Sequence, residues 1–135
     1  MGYSKGYRSV YRLSIHLVLV TQEGRKVIDS AVGQRLQEIF AATCQKWGCA
    51  LEEFKGEADH VDLLINFSPE VQLSKLVNNL KTVSSRLIRK GFPEQVSRLT
   101  RKNSFWSGAY FIASCGDHAI EEIQEYVKQQ SASSE

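Results

Sequence analysis

His60 and Asp62 stand two positions apart in Asp59-His60-Val61-Asp62-Leu63-Leu64-Ile65-Asn66-Phe67, where every odd position from Val61 to Phe67 is apolar. A period of two marks a strand with one face on a core. Strand alternation then sets His60 and Asp62 side by side on the other face, where an imidazole and a carboxylate can converge on one metal ion. Downstream, Glu121 to Gln130 reads as a helix, with Tyr126 and Gln130 at i and i+4 on one face. A phenol near a bound cation is a candidate nucleophile, because the cation polarises the bond it attacks. His60, Asp62 and the Gln130 amide offer nitrogen and hard oxygen, a donor set that favours Mg²⁺ or Mn²⁺ over a thiolate-seeking ion. Each feature also has a plainer reading. A His-x-Asp triplet can be a surface pair at a strand start, and a tyrosine beside the apolar stripe Ile120, Ile123 and Val127 can simply pack.

The elements that must position these residues follow from periodicity. Tyr11 to Val20 alternates as a first strand, with Leu13, Ile15, Leu17 and Leu19 on one face and Ser14 and His16 on the other. A charged loop from Thr21 to Lys26 leads to a helix from about Asp29 to Lys46, ended near Gly48. Cys49 to Gly56 and the His60 strand form a hairpin. A second helix spans about Val71 to Lys90, with Leu73, Leu76, Leu80, Val83 and Leu87 as its buried stripe; its other face carries Lys75, Asn78, Asn79, Thr82, Ser85 and Arg89. Phe92 to Asn103 reads as a basic loop and Phe105 to Ala113 as the last strand. Ser114-Cys115-Gly116 is a small-residue joint, Asp117 an N-cap for the terminal helix, and the acids Glu121 and Glu122 suit that helix's first turn. The order β-α-β-β-α-β with an appended C-terminal helix is the α+β, ferredoxin-like split pattern: an antiparallel sheet with two helices on one face. The other face is left for a site.

Composition narrows the class. The 135 residues fit one domain, 1–135, with loose ends at about 1–10 and 131–135. With 42% hydrophobic and 24% charged residues the chain reads as a soluble globular protein. It holds no apolar run of about 18 residues that could span a membrane, and no apolar signal core, so a cytoplasmic location is expected. Three cysteines, Cys44, Cys49 and Cys115, show no CxxC spacing, which argues against a disulfide framework or zinc knuckle. Net charge is +2, but from Lys75 to Lys102 eight bases (Lys75, Lys81, Arg86, Arg89, Lys90, Arg98, Arg101 and Lys102) face one acid, Glu94. Such a basic stretch suits phosphate backbones, and equally suits a solvated helix face.

Four ordered blocks carry a resemblance: His60-Val61-Asp62-Leu63-Leu64-Ile65; Leu76-Val77-Asn78-Asn79-Leu80-Lys81-Thr82-Val83-Ser84-Ser85-Arg86; Phe105-Trp106-Ser107-Gly108-Ala109-Tyr110-Phe111-Ile112-Ala113-Ser114-Cys115-Gly116; and Tyr126-Val127-Lys128-Gln129-Gln130. Over about residues 11 to 130 the chain resembles the single-tyrosine transposases of the insertion-sequence 200/605 family, within the HUH (His-hydrophobic-His) nucleases. The resemblance implies that His60, position 62 and Gln130 hold a divalent cation, Mg²⁺ or Mn²⁺. It implies that Tyr126 attacks single-stranded DNA, leaving a 5′-phosphotyrosine and a free 3′-hydroxyl. It further implies a homodimer in which one subunit's tyrosine helix completes the other's site, a joint at Ser114-Cys115-Gly116 that lets this helix move, and recognition of DNA hairpins through the basic stretch. One position departs from the family pattern, which usually has histidine where this chain has Asp62. A carboxylate still suits Mg²⁺ or Mn²⁺.

Two rivals remain at this level. One is a non-catalytic or domesticated single-stranded DNA or hairpin-binding protein, with Phe105, Trp106 and Tyr110 as a stacking platform. The other is a repeat-associated HUH nuclease, or a replication initiator, acting as a monomer. A metabolic ferredoxin-like enzyme finds little support, since no glycine-rich phosphate loop or cofactor fingerprint is present in the sequence.

Overall fold

A computed structural model describes residues 4–6, 9–11, 13–99, 104–114 and 124–130. Two short strands, β1 (Ser4–Gly6) and β2 (Ser9–Tyr11), pair antiparallel within the stretch read from sequence as loose. The main sheet is built from β3 (Leu13–Thr21), β4 (Ala50–Gly56), β5 (His60–Phe67) and β6 (Trp106–Ser114). Its order is β4-β5-β3-β6, with every neighbouring pair antiparallel. Each β-α-β unit is therefore split by a strand of the other, the interleaving expected from the element order.

Helices α1 (Ser30–Lys46) and α2 (Leu73–Gly91) close one face of this sheet. Asp29 caps α1 by accepting from the Val32 amide at 2.9 Å. Gly48, at φ +72°, ends α1: its amide donates to Gln45 (3.0 Å) and the Cys49 amide to Cys44 (2.9 Å), the pair of bonds that makes a left-handed helix stop. The core joins Leu17, Leu19, Val61, Leu63 and Ile65 of the central strands to Leu36, Phe40, Leu76 and Leu80 of the helices, all fully buried. Cys44 and Cys49 are buried free thiols, and burial pushes the Cys44 thiol up to about 12.

Three local readings are corrected. The buried arc of α2 is Leu76, Val77, Leu80, Ser84 and Ile88, rotated from the expected stripe; Leu73, Val83 and Leu87 are only partly covered. Ser84 is drawn inward because its hydroxyl donates to the Leu80 carbonyl (2.6 Å) and accepts from the Trp106 indole N–H (2.8 Å). Asn79, placed on the polar face, instead accepts from Trp47 Nε1 at 3.0 Å and ties the end of α1 to α2. The basic loop contains a third helix, α3 (Pro93–Leu99), opened by proline and anchored by buried Val96. Phe92, Val96 and Leu99 stand at i, i+4 and i+7, a helical spacing that extends over only two turns within a stretch that reads as loop.

Candidate metal and nucleophile site

The sheet's second face is built by the even positions of β3 and β5. Asp62 lies opposite Val18 and His60 opposite Val20 in the β3–β5 ladder. The turn that delivers them is fastened from three sides: the Glu57 amide donates to His60 O (2.8 Å), the Thr21 amide to Asp59 O (3.0 Å) and the Ile28 amide to Ala58 O (3.0 Å). Strand alternation thus sets His60 and Asp62 on one face, as the sequence predicts, beside a turn tied by three backbone hydrogen bonds.

Each of the two candidate ligands is oriented by a partner that sequence alone left unassigned. His60 Nδ1 donates to Asp59 Oδ1 at 2.8 Å, and His16 Nδ1 donates to Asp62 Oδ1 at 3.0 Å across the β3–β5 pair. A carboxylate can only accept, so both imidazoles carry their proton on Nδ1. His60 is then left with Nε2 as a lone-pair donor, and Asp62 with its second oxygen. A carboxylate or imidazole that fixes a ligand's orientation is the usual surrounding of a metal ligand. Among the described residues no three His, Cys, Asp or Glu side chains gather in metal-holding geometry. Two protein donors backed by hydrogen bonds suit a hard cation that keeps several waters and takes the rest of its shell from a substrate phosphate.

A pocket of about 550 Å³ opens over His60 and Asp62. Lys26 and Lys55 line it with Asp59, and on its far side stand Gln124 and Val127. Lys55 is a residue that sequence reading missed: it lies opposite Asp62 in the β4–β5 ladder, so the hairpin register was the signal for it. Its ammonium and that of Lys26 give a phosphate two cations at the rim.

Residues 124–130 are helical and lie on this same face. Tyr126 and Val127 pack on buried Val18 and Val20, and the Tyr126 ring sits 5.1 Å from that of Phe111 on β6. The phenol oxygen is buried and has no hydrogen-bond partner among the described residues, and burial pushes its pKa above the ordinary phenol value. The phenol is therefore neutral and unengaged in this position, turned towards β6, while its neighbours Gln124 and Val127 reach the His60 pocket. Gln130 is half-buried on the same short helix. The structure brings Tyr126, His60 and Asp62 to one face of the sheet but not into one pocket. Asp117, Glu121, Glu122 and the Ser114-Cys115-Gly116 joint beyond Ser114 lie outside the described residues.

The predicted DNA-contacting bases fall elsewhere. Lys75, Arg86, Lys90 and Arg98 are exposed, whereas Lys81 and Arg89 are half-buried in a second pocket between α2 and the start of β6. Arg101 and Lys102 lie outside the described residues. The aromatic platform is not formed: Phe105 and Trp106 are core residues, and Tyr110 packs partly buried against the same core.

Comparison with known proteins gives these positions a context. Residues 9–130 match the family model described as transposase, IS200 like. The chain is 26% identical over 126 residues to the ISDra2 transposase TnpA of Deinococcus radiodurans, covering 93% of this chain and 89% of that protein. It is 24% identical over 115 residues to the transposase for insertion sequence element IS200 of Salmonella typhimurium, covering 85% and 74%. In three dimensions it resembles the crystal structure of a candidate transposase from Deinococcus radiodurans R1, with TM-score 0.86, 26% identity, and 94% and 97% of the two chains covered. At the level of fold alone it also resembles a REP-associated tyrosine transposase bound to a REP hairpin, with TM-score 0.58, 9% identity, and 92% and 68% covered.

Proposed function

The chain belongs to the IS200-like transposase family, and on that premise we propose that it cuts and rejoins single-stranded DNA through Tyr126, with His60 and Asp62 holding Mg²⁺ or Mn²⁺ at the scissile phosphate. The observation that carries this reading is that Tyr126, whose oxygen is buried and has no hydrogen-bond partner among the described residues, shares one sheet face with His60 and Asp62, each oriented by a hydrogen bond.

Bound by His60 Nε2 and the free oxygen of Asp62, with the Gln130 amide as a further donor, the cation would polarise the phosphodiester and neutralise its charge. Every other part falls to the chain. His16 and Asp59 hold the ligand side chains in place, and Lys26 and Lys55 take the DNA backbone charge at the rim. Tyr126 Oη attacks phosphorus: the Oη–P bond forms as the P–O3′ bond breaks, the phenol proton is lost, and the leaving oxygen ends as a 3′-hydroxyl. The 5′-phosphate stays on Tyr126. Reversal by another 3′-hydroxyl restores a diester without a nucleotide energy source.

The position of Tyr126 against Phe111 supports the homodimer arrangement that the family resemblance implies. A tyrosine helix from a second subunit, or a swing of this one, would bring a phenol to His60 and Asp62. Hairpin DNA as the partner draws support from the REP hairpin held by one structural neighbour. The test is covalent capture. Labelled hairpin DNA with single-stranded tails, from the regions flanking the gene, is incubated with Mn²⁺ and run on a denaturing gel. A metal-dependent protein–DNA band, lost in Tyr126→Phe, is the expected result. Hairpin binding without any covalent band in the parent would leave a DNA-binding protein that lacks the chemistry.

A further inference from the structure

The pocket between α2 and the start of β6, of about 480 Å³, shares no residue with the one at His60. Lys81, Ser85 and Arg89 recur at i, i+4 and i+8, so α2 stacks them along one flank, facing Ser104 and Ser107. Among the described residues, no Asp or Glu lines this pocket. Lys81 is held there by neutral groups: its Nζ donates to the Ser107 carbonyl at 2.8 Å and stands 5.9 Å from the Tyr110 ring centre. Burial pushes its pKa downward, the direction expected when an ammonium loses water without gaining a counter-charge. Arg89 Nε is buried and has no hydrogen-bond partner among the described residues. A guanidinium with an unused, buried N–H in a pocket that a lysine also lines is an arrangement that an oxyanion can complete.

We propose that this pocket is a phosphate-binding site, in which Arg89 and Lys81 clasp one phosphodiester of the bound DNA at a place separate from the one where the strand is cut. This rests on the reading of the chain as a DNA-handling protein. Guanidinium supplies the paired N–H donors that a phosphate accepts, Lys81 adds a fixed point charge, and the flanking hydroxyls can donate to the remaining oxygens. A single phosphate clasped so would set register and orientation without reading sequence.

The test follows the Arg89 Nε–H resonance by NMR in the full chain carrying Tyr126→Phe and without metal, so that no cleavage is needed. The probes are inorganic phosphate and a hairpin oligonucleotide with a single-stranded tail. We expect the resonance to move with both. Arg89→Ala should weaken hairpin binding roughly three- to tenfold at moderate salt and lower the salt slope by about one contact, with Arg89→Lys in between. Arg35→Ala, which removes an equal charge from an exposed site on α1, should not lower the slope as far. A shift with DNA but not with phosphate also supports the site, as one specific for a diester in a strand. A shift with phosphate alone, while the hairpin binds elsewhere, overturns the assignment to DNA and leaves a pocket for free phosphate groups. No shift with either probe overturns the site. If the parent binds no hairpin at all, the broader functional reading fails too, and the phosphate arm separates that failure from failure of the pocket.

Discussion

Asp62 is the residue at which this chain departs from the pattern it resembles, and His16 is the residue that answers it. In the proposed site, an acid at position 62 brings negative charge to the cation but has a shorter side chain than the family's usual histidine. The 3.0 Å bond from His16 Nδ1 orients that side chain from the neighbouring strand. His16→Ala should therefore weaken Mn²⁺ binding about 10- to 100-fold, read by calorimetry or electron paramagnetic resonance on protein without DNA. His16→Asn, whose amide can still donate to Asp62, should recover part of that loss. Equal affinity in the parent and His16→Ala would show that Asp62 needs no support. The pair could not be deduced from the triplet itself, because the register of two strands 46 positions apart sets it. His60–Asp59 was nearer to hand, as consecutive residues at a tight turn.

Elements were legible where their apolar residues recur. β3, β5 and α1 came out close to their observed limits because each shows a sustained period of two or of 3.6. α3 did not, because its apolar spacing extends over only two turns, and the buried arc of α2 was read one step off. In both cases the decisive contacts are polar and tertiary: Gln95 Nε2 donates to the Val27 carbonyl at 2.9 Å to dock α3, and Ser84 is inside because Trp106 needs an acceptor. That last bond predicts a stability effect. Ser84→Ala leaves the buried indole N–H unpaired and should cost about 1–3 kcal/mol in urea unfolding, less what alanine returns in helix propensity. In a Trp106→Phe background the same substitution should cost almost nothing, since no donor is stranded. Equal losses in both backgrounds would mean that the hydroxyl acts on the helix alone.

On the scale of the whole molecule, the sheet divides its labour by face. The His60 pocket and the tyrosine helix share the open face, whereas the Lys81–Arg89 pocket is built on α2, the helix that closes the other. Tyr126 rests against Phe111 instead of in the pocket, so the proposed chemistry needs a second subunit's helix or a moved one. Mixing Tyr126→Phe with His60→Ala chains discriminates the two. If the helix acts in trans, one of the two composite sites in each mixed dimer is intact, and covalent adduct should return to a fraction of the parental level; if it acts in cis, the mixture stays silent. No helix among the described residues is long and apolar enough to cross a membrane. The sequence by itself determined the elements and the residue types able to do chemistry, because periodicity and side-chain chemistry are local properties. Only the tertiary structure decided that His16 hydrogen-bonds Asp62, that Trp106 is core rather than platform, that Lys81 and Arg89 share a pocket, and that Tyr126 packs against Phe111 beside the pocket at His60 and Asp62. Each of those depends on strand register and on which helix flank meets which strand, relations set by packing between segments far apart in the chain.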